Sequence, residues 1–512
     1  MTNWNDGYVT DISYTFGYYP ELNPLRLRLA FLNMGLQFPK VGAACELGFG
    51  QGISANIHAA GSVVQWVGTD FNPNHAQFAQ QLARVSGAKA KLFDQSFAEF
   101  SQRTDLPDFD YIGLHGIWTW ISEENRAVIV DFLRRKLKVG GVVYLSYNTQ
   151  PGRLSMMPVR DLLVGHSKAM SSQGEGVISR VDAALDFMDK LFAVNPSYAR
   201  ANPQIAERLK NLKNHSRNYL VHEYFNKDWQ PLSFEQTAQI LEEAKLNFAC
   251  SAHYFDHIDN LNLTPEQQEL LNTIKDPMFR EMVQDFCTNQ AFRRDYWVKG
   301  SIKLSPLEQL EALRNQRVIL VQPRQNISFK VTGALGESML HESIYNPILD
   351  ALSDHQPKTL GQLEQTVASA GINFDRLLQA AMILVGANVL FAVQDEAAIA
   401  EAKKQTDKLN RFIWYKSRSS GDLMYVASPV TGGGISVGRF PQLFLLARAQ
   451  GKTTPSEWAQ FTWSILAMQN QRIIKQGTVI ETEADNVTEL ELQAQEFAEK
   501  ELPILIALGI CD

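Results

Sequence analysis

The sequence has few cysteines, no excess of basic residues and no long hydrophobic run. Its 512 residues include only four cysteines, Cys45, Cys250, Cys287 and Cys511, and no two of them form a CxxC pair. This spacing disfavours a cysteine-ligated zinc site and a disulfide framework. The formal net charge of -7 disfavours broad, phosphate-driven binding of DNA or RNA, which needs a strongly basic surface.

Signals for membrane insertion and export are also missing. No apolar run approaches the roughly 18 residues that a membrane span requires. The N-terminus, MTNWNDGYVTDISY, has neither a basic n-region nor an apolar h-region, so it does not have the pattern of a signal peptide. We therefore expect no membrane span and a cytoplasmic protein.

What remains is the composition of an ordinary globular protein, with 45% hydrophobic and 20% charged residues. Between residues 41 and 150, short apolar runs alternate with helical patterns such as His75–Val85 and Glu123–Leu137. This alternation predicts βαβ units and a mostly parallel, Rossmann-like sheet of the α/β class. The predicted strands are Ala43–Leu47, Val63–Thr69, Ala90–Leu92, Phe109–Leu114 and Val142–Tyr147.

The rest of the chain gives weaker patterns. Residues 151–300 are predicted to be mainly helical. Three helical patterns, Ile344–Leu352, Leu360–Ala370 and Phe374–Asn388, are followed by a predicted strand, Val389–Val393, an order typical of a winged helix. The third helix has a single basic residue, so we expect this unit to bind protein or to pack internally rather than to read a DNA groove.

A glycine-rich loop, Glu46-Leu47-Gly48-Phe49-Gly50-Gln51-Gly52, follows the first predicted strand and precedes a helix. Glycines in this position let the backbone turn tightly and approach a ligand. A dinucleotide site requires a glycine where the chain has Ile53, and a P-loop requires a G-K-[ST] that is missing. The pattern E-x-G-x-G-x-G favours S-adenosylmethionine (SAM), with a ligand-free βα turn as the simpler alternative.

Residues beside the next strands support a SAM site. Asp70 ends the second strand, where a carboxylate can accept both hydrogen bonds from a ribose diol. Asp94 and Ser96 are placed to bind an adenine edge, and Phe71 and Phe97 to cover its faces. The predicted cofactor-binding residues are Tyr14, Glu46, Gly48, Gly50, Gly52, Asp70, Phe71, Asp94, Ser96, Phe97 and His115.

Beyond the loop, longer segments resemble a known family. They are Phe109–Trp120, which includes His115-Gly116-Ile117-Trp118, then Gly140–Gly152 with the string SYNTQPG, and finally Tyr219–Phe225 and Phe292–Asp295. These segments are similar to the bacterial class I SAM-dependent methyltransferases that carry a methyltransferase regulatory domain. That family includes protein lysine methyltransferases that modify a rickettsial outer-membrane protein.

The resemblance implies a division of the chain and an activity. The expected parts are an N-terminal cofactor-covering segment (1–40), a SAM-binding methyltransferase domain (41–152), a helical regulatory domain (153–305) and a winged-helix-like and accessory region (306–512). The implied activity is methyl transfer from SAM to a protein lysine, with S-adenosylhomocysteine (AdoHcy) as the product. A surface-polysaccharide sugar or a small molecule is an alternative acceptor, and a non-enzymatic SAM-binding regulator is a second alternative.

Three residues are the candidates for chemistry, namely His115, Trp120 and Asn148. His115 ends the fourth strand, where it can touch the methionine part of SAM or act as a base. Trp120, together with Trp118, can line an acceptor channel, and Asn148 can orient an amine. The pair His222-Glu223 lacks the second histidine of a zincin motif, so we predict no metal and expect the pair to fix the middle domain against the catalytic one.

Overall fold

The centre of the fold is a seven-stranded sheet. The computed structural model describes residues 15–172 and 174–512, so Tyr14 lies outside the described residues. The strand order is β3-β2-β1-β4-β5-β7-β6; neighbouring strands from β3 to β5 are parallel, whereas β7 is antiparallel to β5 and to β6. The predicted α/β sheet is confirmed. The strands are β1 Ala43–Leu47, β2 Gln65–Thr69, β3 Ala90–Phe93, β4 Phe109–Leu114, β5 Leu137–Asn148, β6 Asn247–Ser251 and β7 Phe292–Val298.

Helices with clear sequence signals connect the parallel strands. The third helix begins with Asn72, whose side chain accepts the N–H of Asn74, and Pro73 occupies its first turn. It ends at Gly87, which adopts the left-handed conformation. The helices of this part are α1 Leu27–Asn33, α2 Ile53–Gly61, α3 Pro73–Ser86, α4 Phe97–Ser101 and α5 Glu123–Lys136.

The middle segment is mainly helical, as predicted for residues 153–305, but it also contains two strands that the sequence analysis did not predict. It contributes β6 and β7, so the central sheet extends beyond residue 152, the predicted end of the methyltransferase domain. The sequence did not predict β7, because the strand contains two charged residues, Arg293 and Asp295. Both are buried and form an ion pair, with Nε and Oδ2 2.9 Å apart. The helices here are α6 Met157–Ala169, α7 Val177–Ala193, α8 Ser197–Ala201, α9 Gln204–Leu212, α10 Arg217–Tyr224, α11 Phe234–Glu242, α12 Asp259–Asn262, α13 Pro265–Asn272 and α14 Pro277–Thr288.

The next part combines small sheets with helices. Its strands are β8 Arg317–Leu320, β9 Lys330–Gly333, β10 Gly336–Met339, β11 Lys358–Thr359 and β12 Leu390–Ala392, and β8 lies between β11 and β12. Its helices are α15 Pro306–Arg314, α16 Glu342–Ala351, α17 Leu360–Val367 and α18 Phe374–Gly386. Leu377, Ala381 and Met382 of α18 are fully buried, as the apolar pattern predicts. The winged-helix assignment itself stays a prediction.

The C-terminal part packs directly on the helix that follows the glycine loop. Gln394 donates from Nε2 to the carbonyl oxygen of Gly61, 2.7 Å away, and the Tyr18 hydroxyl lies 3.1 Å from His58 Nε2. Within the described part of the chain, no helix combines the length and apolar character needed to cross a bilayer. The remaining elements are α19 Glu396–Lys416, β13 Tyr425–Ser428, β14 Gly433–Ser436, α20 Arg439–Ala449, α21 Pro455–Met468, β15 Ile474–Lys475, β16 Thr478–Val479, α22 Glu483–Glu496 and α23 Leu502–Ala507.

Candidate functional site

A cavity of about 670 Å³ opens at the carboxyl ends of the parallel strands. This edge of an open α/β sheet is where such folds hold their ligands. One half of the wall comes from the loops after β1, β2, β3 and β4, and the other half from the segment around α10. The residues that line the cavity include Tyr19, Gly48, Gly50, Asp70, Phe71, Gln95, Ser96, Phe97, His115, Trp120, Asn148, Arg153, Tyr219, Glu223 and Asp228.

The three glycines of the loop have different surroundings. Gly48 and Gly50 line the cavity with φ angles of +72° and +56°, values that favour glycine. Gly52 has φ +70°, but a Cβ placed on it would lie 2.5 Å from the Cβ of Ala79 in α3. Gly52 therefore lies at a helix contact and outside the described cavity wall, and its role in cofactor binding stays a prediction.

Asp70 is held in place by backbone hydrogen bonds and by a contact with His75. Its Oδ2 accepts the N–H of Gly50 at 2.9 Å, and its Oδ1 accepts the N–H of Asn72 at 3.0 Å and lies 3.2 Å from His75 Nδ1. The side chain is buried but lines the cavity. These bonds tie the glycine loop to the end of β2 and leave carboxylate lone pairs free for a ligand.

Glu46 lies behind the glycine loop rather than on the described cavity wall. It is 3% exposed, and its Oε2 has no hydrogen-bond partner among the described residues. Burial, and then the nearby charge of Asp70, raise the pKa of Glu46 to about 8. At neutral pH this carboxyl group is therefore mainly protonated.

The predicted adenine end is partly rearranged. Phe71, Ser96 and Phe97 line the cavity, whereas Asp94 is exposed and the cavity wall contains its neighbour Gln95 instead. Ser96 is also the N-cap of α4: its hydroxyl accepts the N–H of Glu99, whose carboxylate accepts the N–H of Ser96. The string SFAE encodes this capping box, a role that the sequence analysis did not assign.

His115 is held between two aromatic rings. Tyr19 is stacked on it with centroids 3.7 Å apart, and the Tyr144 hydroxyl lies 2.8 Å from its Nδ1. Burial lowers the pKa of His115 to about 4, so the ring is neutral at pH 7. The Ser146 hydroxyl, which also accepts the N–H of Gly116 at 2.8 Å, hydrogen-bonds Tyr144. We assign Tyr144 as the donor to Nδ1, which leaves the imidazole proton on Nε2.

The far end of the cavity contains the other two candidates for chemistry. Asn148 is fully buried, and neither its Oδ1 nor its Nδ2 has a partner among the described residues. Trp120 lines the same space, and its Nε1 donates to the carbonyl oxygen of Glu223 at 3.4 Å. Trp118 is also fully buried, but it belongs to the hydrophobic core beneath the site rather than to a channel.

Among the wall residues that were not predicted as part of the site, three lie together at the acceptor end. Arg153, just after β5, donates from a guanidinium nitrogen to Oε1 of Glu223 on α10 at 2.7 Å, and Tyr219 lies one turn earlier on α10. Arg153 follows the SYNTQPG string and the other two lie in Tyr219–Phe225. Both segments were recognised as family motifs, but their spacing did not show that they meet across one cavity. Within residues 15–172 and 174–512, no group of three or more His, Cys, Asp or Glu side chains is suited to a metal ion.

The chain is similar to known sequences. The family model of a predicted methyltransferase regulatory domain matches residues 216–299, which include α10 and β7. The Synechocystis sp. protein sll1526 is 42% identical over 512 residues, which is 99% of each chain. RP789 of Rickettsia prowazekii is 25% identical over 298 residues, or 56% of this chain and 52% of its own.

One solved structure covers nearly the entire chain. PKMT2 from Rickettsia typhi in complex with AdoHcy aligns with a TM-score of 0.70 and 18% identity, over 94% of this chain and 98% of its own. A second structure of the same protein gives a TM-score of 0.68. The likeness therefore includes the middle and C-terminal parts as well as the Rossmann-like sheet.

Proposed function

The chain belongs to the class I SAM-dependent methyltransferases that carry a methyltransferase regulatory domain, and from this premise we propose that it methylates a nucleophilic acceptor, most specifically a protein lysine. The observation that carries the proposal is the cavity itself. It joins a glycine loop, an ordered carboxylate and aromatic rings at one end to a free, buried amide at the other.

The first end fits SAM. Gly48 and Gly50 allow a ligand to approach the backbone closely, and Asp70 offers its carboxylate to the two ribose hydroxyls. Phe71 and Phe97 provide apolar faces for adenine, with Gln95 beside them in the position first assigned to Asp94. When bound, SAM supplies a methyl group that its sulfonium has already activated, so the protein has to position the acceptor and exclude water.

The second end suits an amine. Asn148 offers an amide oxygen that can accept an N–H, and Trp120 and Tyr219 surround the space with aromatic surface. A hydroxyl acceptor would need a strong general base, and His115 is unsuited to that role because its pKa of about 4 makes it a weak base and its Nδ1 is already engaged. PKMT2 was solved with AdoHcy, and by analogy we assign the same product to this chain.

Transfer of a labelled methyl group tests the proposal. The purified full-length chain is incubated with methyl-labelled SAM and a lysate of the organism from which it comes, and modified sites are located by mass spectrometry. We expect label on lysine side chains of one or a few proteins. Label confined to sugars or small molecules would contradict the lysine assignment, and no transfer to any acceptor would contradict the enzymatic function.

A further inference from the structure

The acceptor end of the cavity contains a carboxylate, Glu223, that can do more than fix the middle domain against the catalytic one. Glu223 is on α10, within the matched regulatory segment, and its side chain is 13% exposed. Its Oε1 accepts a hydrogen bond from Arg153 at 2.7 Å. No other side-chain hydrogen bond reaches this carboxylate from the described residues, so Oε2 is available to a ligand in the cavity.

The other two carboxylates of the described cavity wall, Asp70 and Asp228, have different surroundings. Asp70 accepts two backbone N–H groups and faces His75, at the cofactor end. Asp228 lies within the field of Arg126, whose guanidinium donates to backbone carbonyls. Among these three, Glu223 is the carboxylate at the acceptor end that a wall arginine holds through one oxygen, which leaves its other oxygen for a ligand.

The neighbours of Glu223 connect it to residues at the carboxyl end of β4. Tyr219, one turn before it, interacts electrostatically with Glu223 and Arg153 and also with Tyr19. Tyr19 in turn stacks on His115 at the carboxyl end of β4. The charged and titratable groups that face Glu223 are Arg153, Tyr219 and Tyr224.

Resting on the proposed function, we propose that Glu223 binds the amine of the acceptor lysine and takes its proton before methyl transfer. An N–H bond of the ammonium breaks, an O–H bond forms on the Glu223 carboxylate, and the nitrogen regains its lone pair. The nitrogen then forms a bond to the methyl carbon as the carbon–sulfur bond breaks, and that electron pair stays on sulfur, giving AdoHcy and a methylated ammonium.

The electrostatics of the site favour this proton transfer. An ammonium that enters beside Arg153 and the SAM sulfonium meets two positive charges, which lower the pKa of the amine. Burial raises the pKa of Glu223 above its ordinary value, although Arg153 acts in the opposite direction, so the carboxylate is a better proton acceptor than one in water. Asn148 can then accept the remaining N–H and orient the lone pair.

Sinefungin tests the assignment without knowledge of the acceptor. This analogue of AdoHcy carries an amine-bearing carbon in place of the sulfur, so its amine occupies the place where the methyl and the incoming nitrogen meet. Calorimetry compares the affinities of sinefungin and AdoHcy for the full-length chain. We expect a preference for sinefungin, and we expect Glu223→Gln to reduce it on the order of tenfold, the loss of a charged hydrogen bond.

The controls distinguish a loss of amine binding from a general loss of folded structure. AdoHcy should bind Glu223→Gln as it binds the unchanged protein, which also shows that the variant folds. Asp182→Asn removes another ion pair of α10, the pair that Asp182 forms with Arg217 at 2.5 Å, and should leave the preference intact. If Glu223→Gln fails to fold, Glu223→Asp decides, because it keeps the charge but withdraws the carboxylate by one methylene and should also weaken the preference.

Two results would overturn the assignment. One is a chain that binds AdoHcy but shows no preference for sinefungin, and the other is a preference that survives both substitutions at Glu223. Either result leaves the proposed function standing, because AdoHcy still binds. A chain that binds neither ligand would instead contradict the proposed function itself, together with the role of Glu223.

Discussion

The rings of Tyr19 and His115 are stacked, with centroids 3.7 Å apart and planes inclined by 24°. This contact joins the segment before the first strand to the carboxyl end of β4, and both rings line the cavity. The N-terminal segment therefore forms part of the site wall. The stack also buries His115, which is the main reason that its pKa is low.

A first prediction concerns His115→Ala. Because the pKa of His115 is about 4, well below this range, and the ring serves as a wall rather than a base, the pH profile of kcat between pH 6 and 8 should keep its shape. KM for SAM should rise roughly two- to tenfold as the stacked ring is lost. Tyr19→Ala removes the same stack and should have the same effect. Nearly complete loss of kcat in His115→Ala alone would instead identify a general base and favour a hydroxyl acceptor.

A second prediction concerns the protonation of Glu46. Its pKa in the folded protein is raised to about 8, so the folded state holds a proton that the unfolded state has released above pH 4.5. The stabilising contribution is present below pH 4.5 and is lost as pH rises towards 8, at up to about 1.4 kcal/mol per pH unit. Glu46→Gln is neutral throughout, so its melting temperature should exceed that of the unchanged protein increasingly as pH rises.

Thermal denaturation at pH 5, 6, 7 and 8 measures this difference. Asp94→Asn is the matched control, because Asp94 is an exposed carboxylate of the same domain and should show no growing gap. A constant difference between Glu46→Gln and the unchanged protein across the series would mean that Glu46 is already ionised when buried.

A third prediction concerns the contact between the C-terminal part and α2. A Cβ on Gly61, the last residue of α2, would lie 3.0 Å from the carbonyl carbon of Gly432 and 3.2 Å from the carbonyl oxygen of Ser428. Gly61→Ala should therefore destabilise the protein by about 1–3 kcal/mol, the cost of overpacking between backbones. The melting temperature reports this loss.

Gly165 in α6 provides the control for that substitution. It is also a helical glycine, but a Cβ there has no neighbour within 4 Å, so Gly165→Ala should be neutral or stabilise by up to about 1 kcal/mol. Equal melting temperatures for the two variants would show that the C-terminal part does not pack tightly against α2 in solution.

The sequence predicts the first five strands well because each is a short apolar run beside a helix with its own caps. β1 and β4 have the predicted bounds, Ala43–Leu47 and Phe109–Leu114. β7 escaped prediction because its interior contains Arg293 and Asp295, and only the fold shows that these charges neutralise each other. Apolar strands are visible in the local sequence pattern, whereas buried charges within a strand such as β7 interrupt the apolar pattern that would reveal it.

The site residues also fall into two groups, those that a local motif predicts and those that only the fold brings together. Gly48, Gly50 and Asp70 follow from a compact motif in which each residue has a recognisable place at a strand end. Arg153 and Glu223 are 70 residues apart and meet only because the middle segment folds over the sheet edge. Gln95 lines the cavity, whereas Asp94, one position earlier, does not. The sequence predicts the end of a strand only to within a residue or two, so it could not show which of these two side chains faces the cavity.

The most direct test of the central claim, that this cavity binds SAM, is calorimetric titration with SAM. Asp70→Ala removes a carboxylate from the cavity wall, and Asp94→Ala removes an exposed carboxylate nearby. The two substitutions are chemically the same, and only the position of the lost carboxylate differs. The account predicts that Asp70→Ala weakens binding by about 1–3 kcal/mol, the cost of charged hydrogen bonds, while Asp94→Ala binds as the unchanged protein does. Unchanged SAM affinity in Asp70→Ala, or no SAM binding by the unmodified chain, would contradict it.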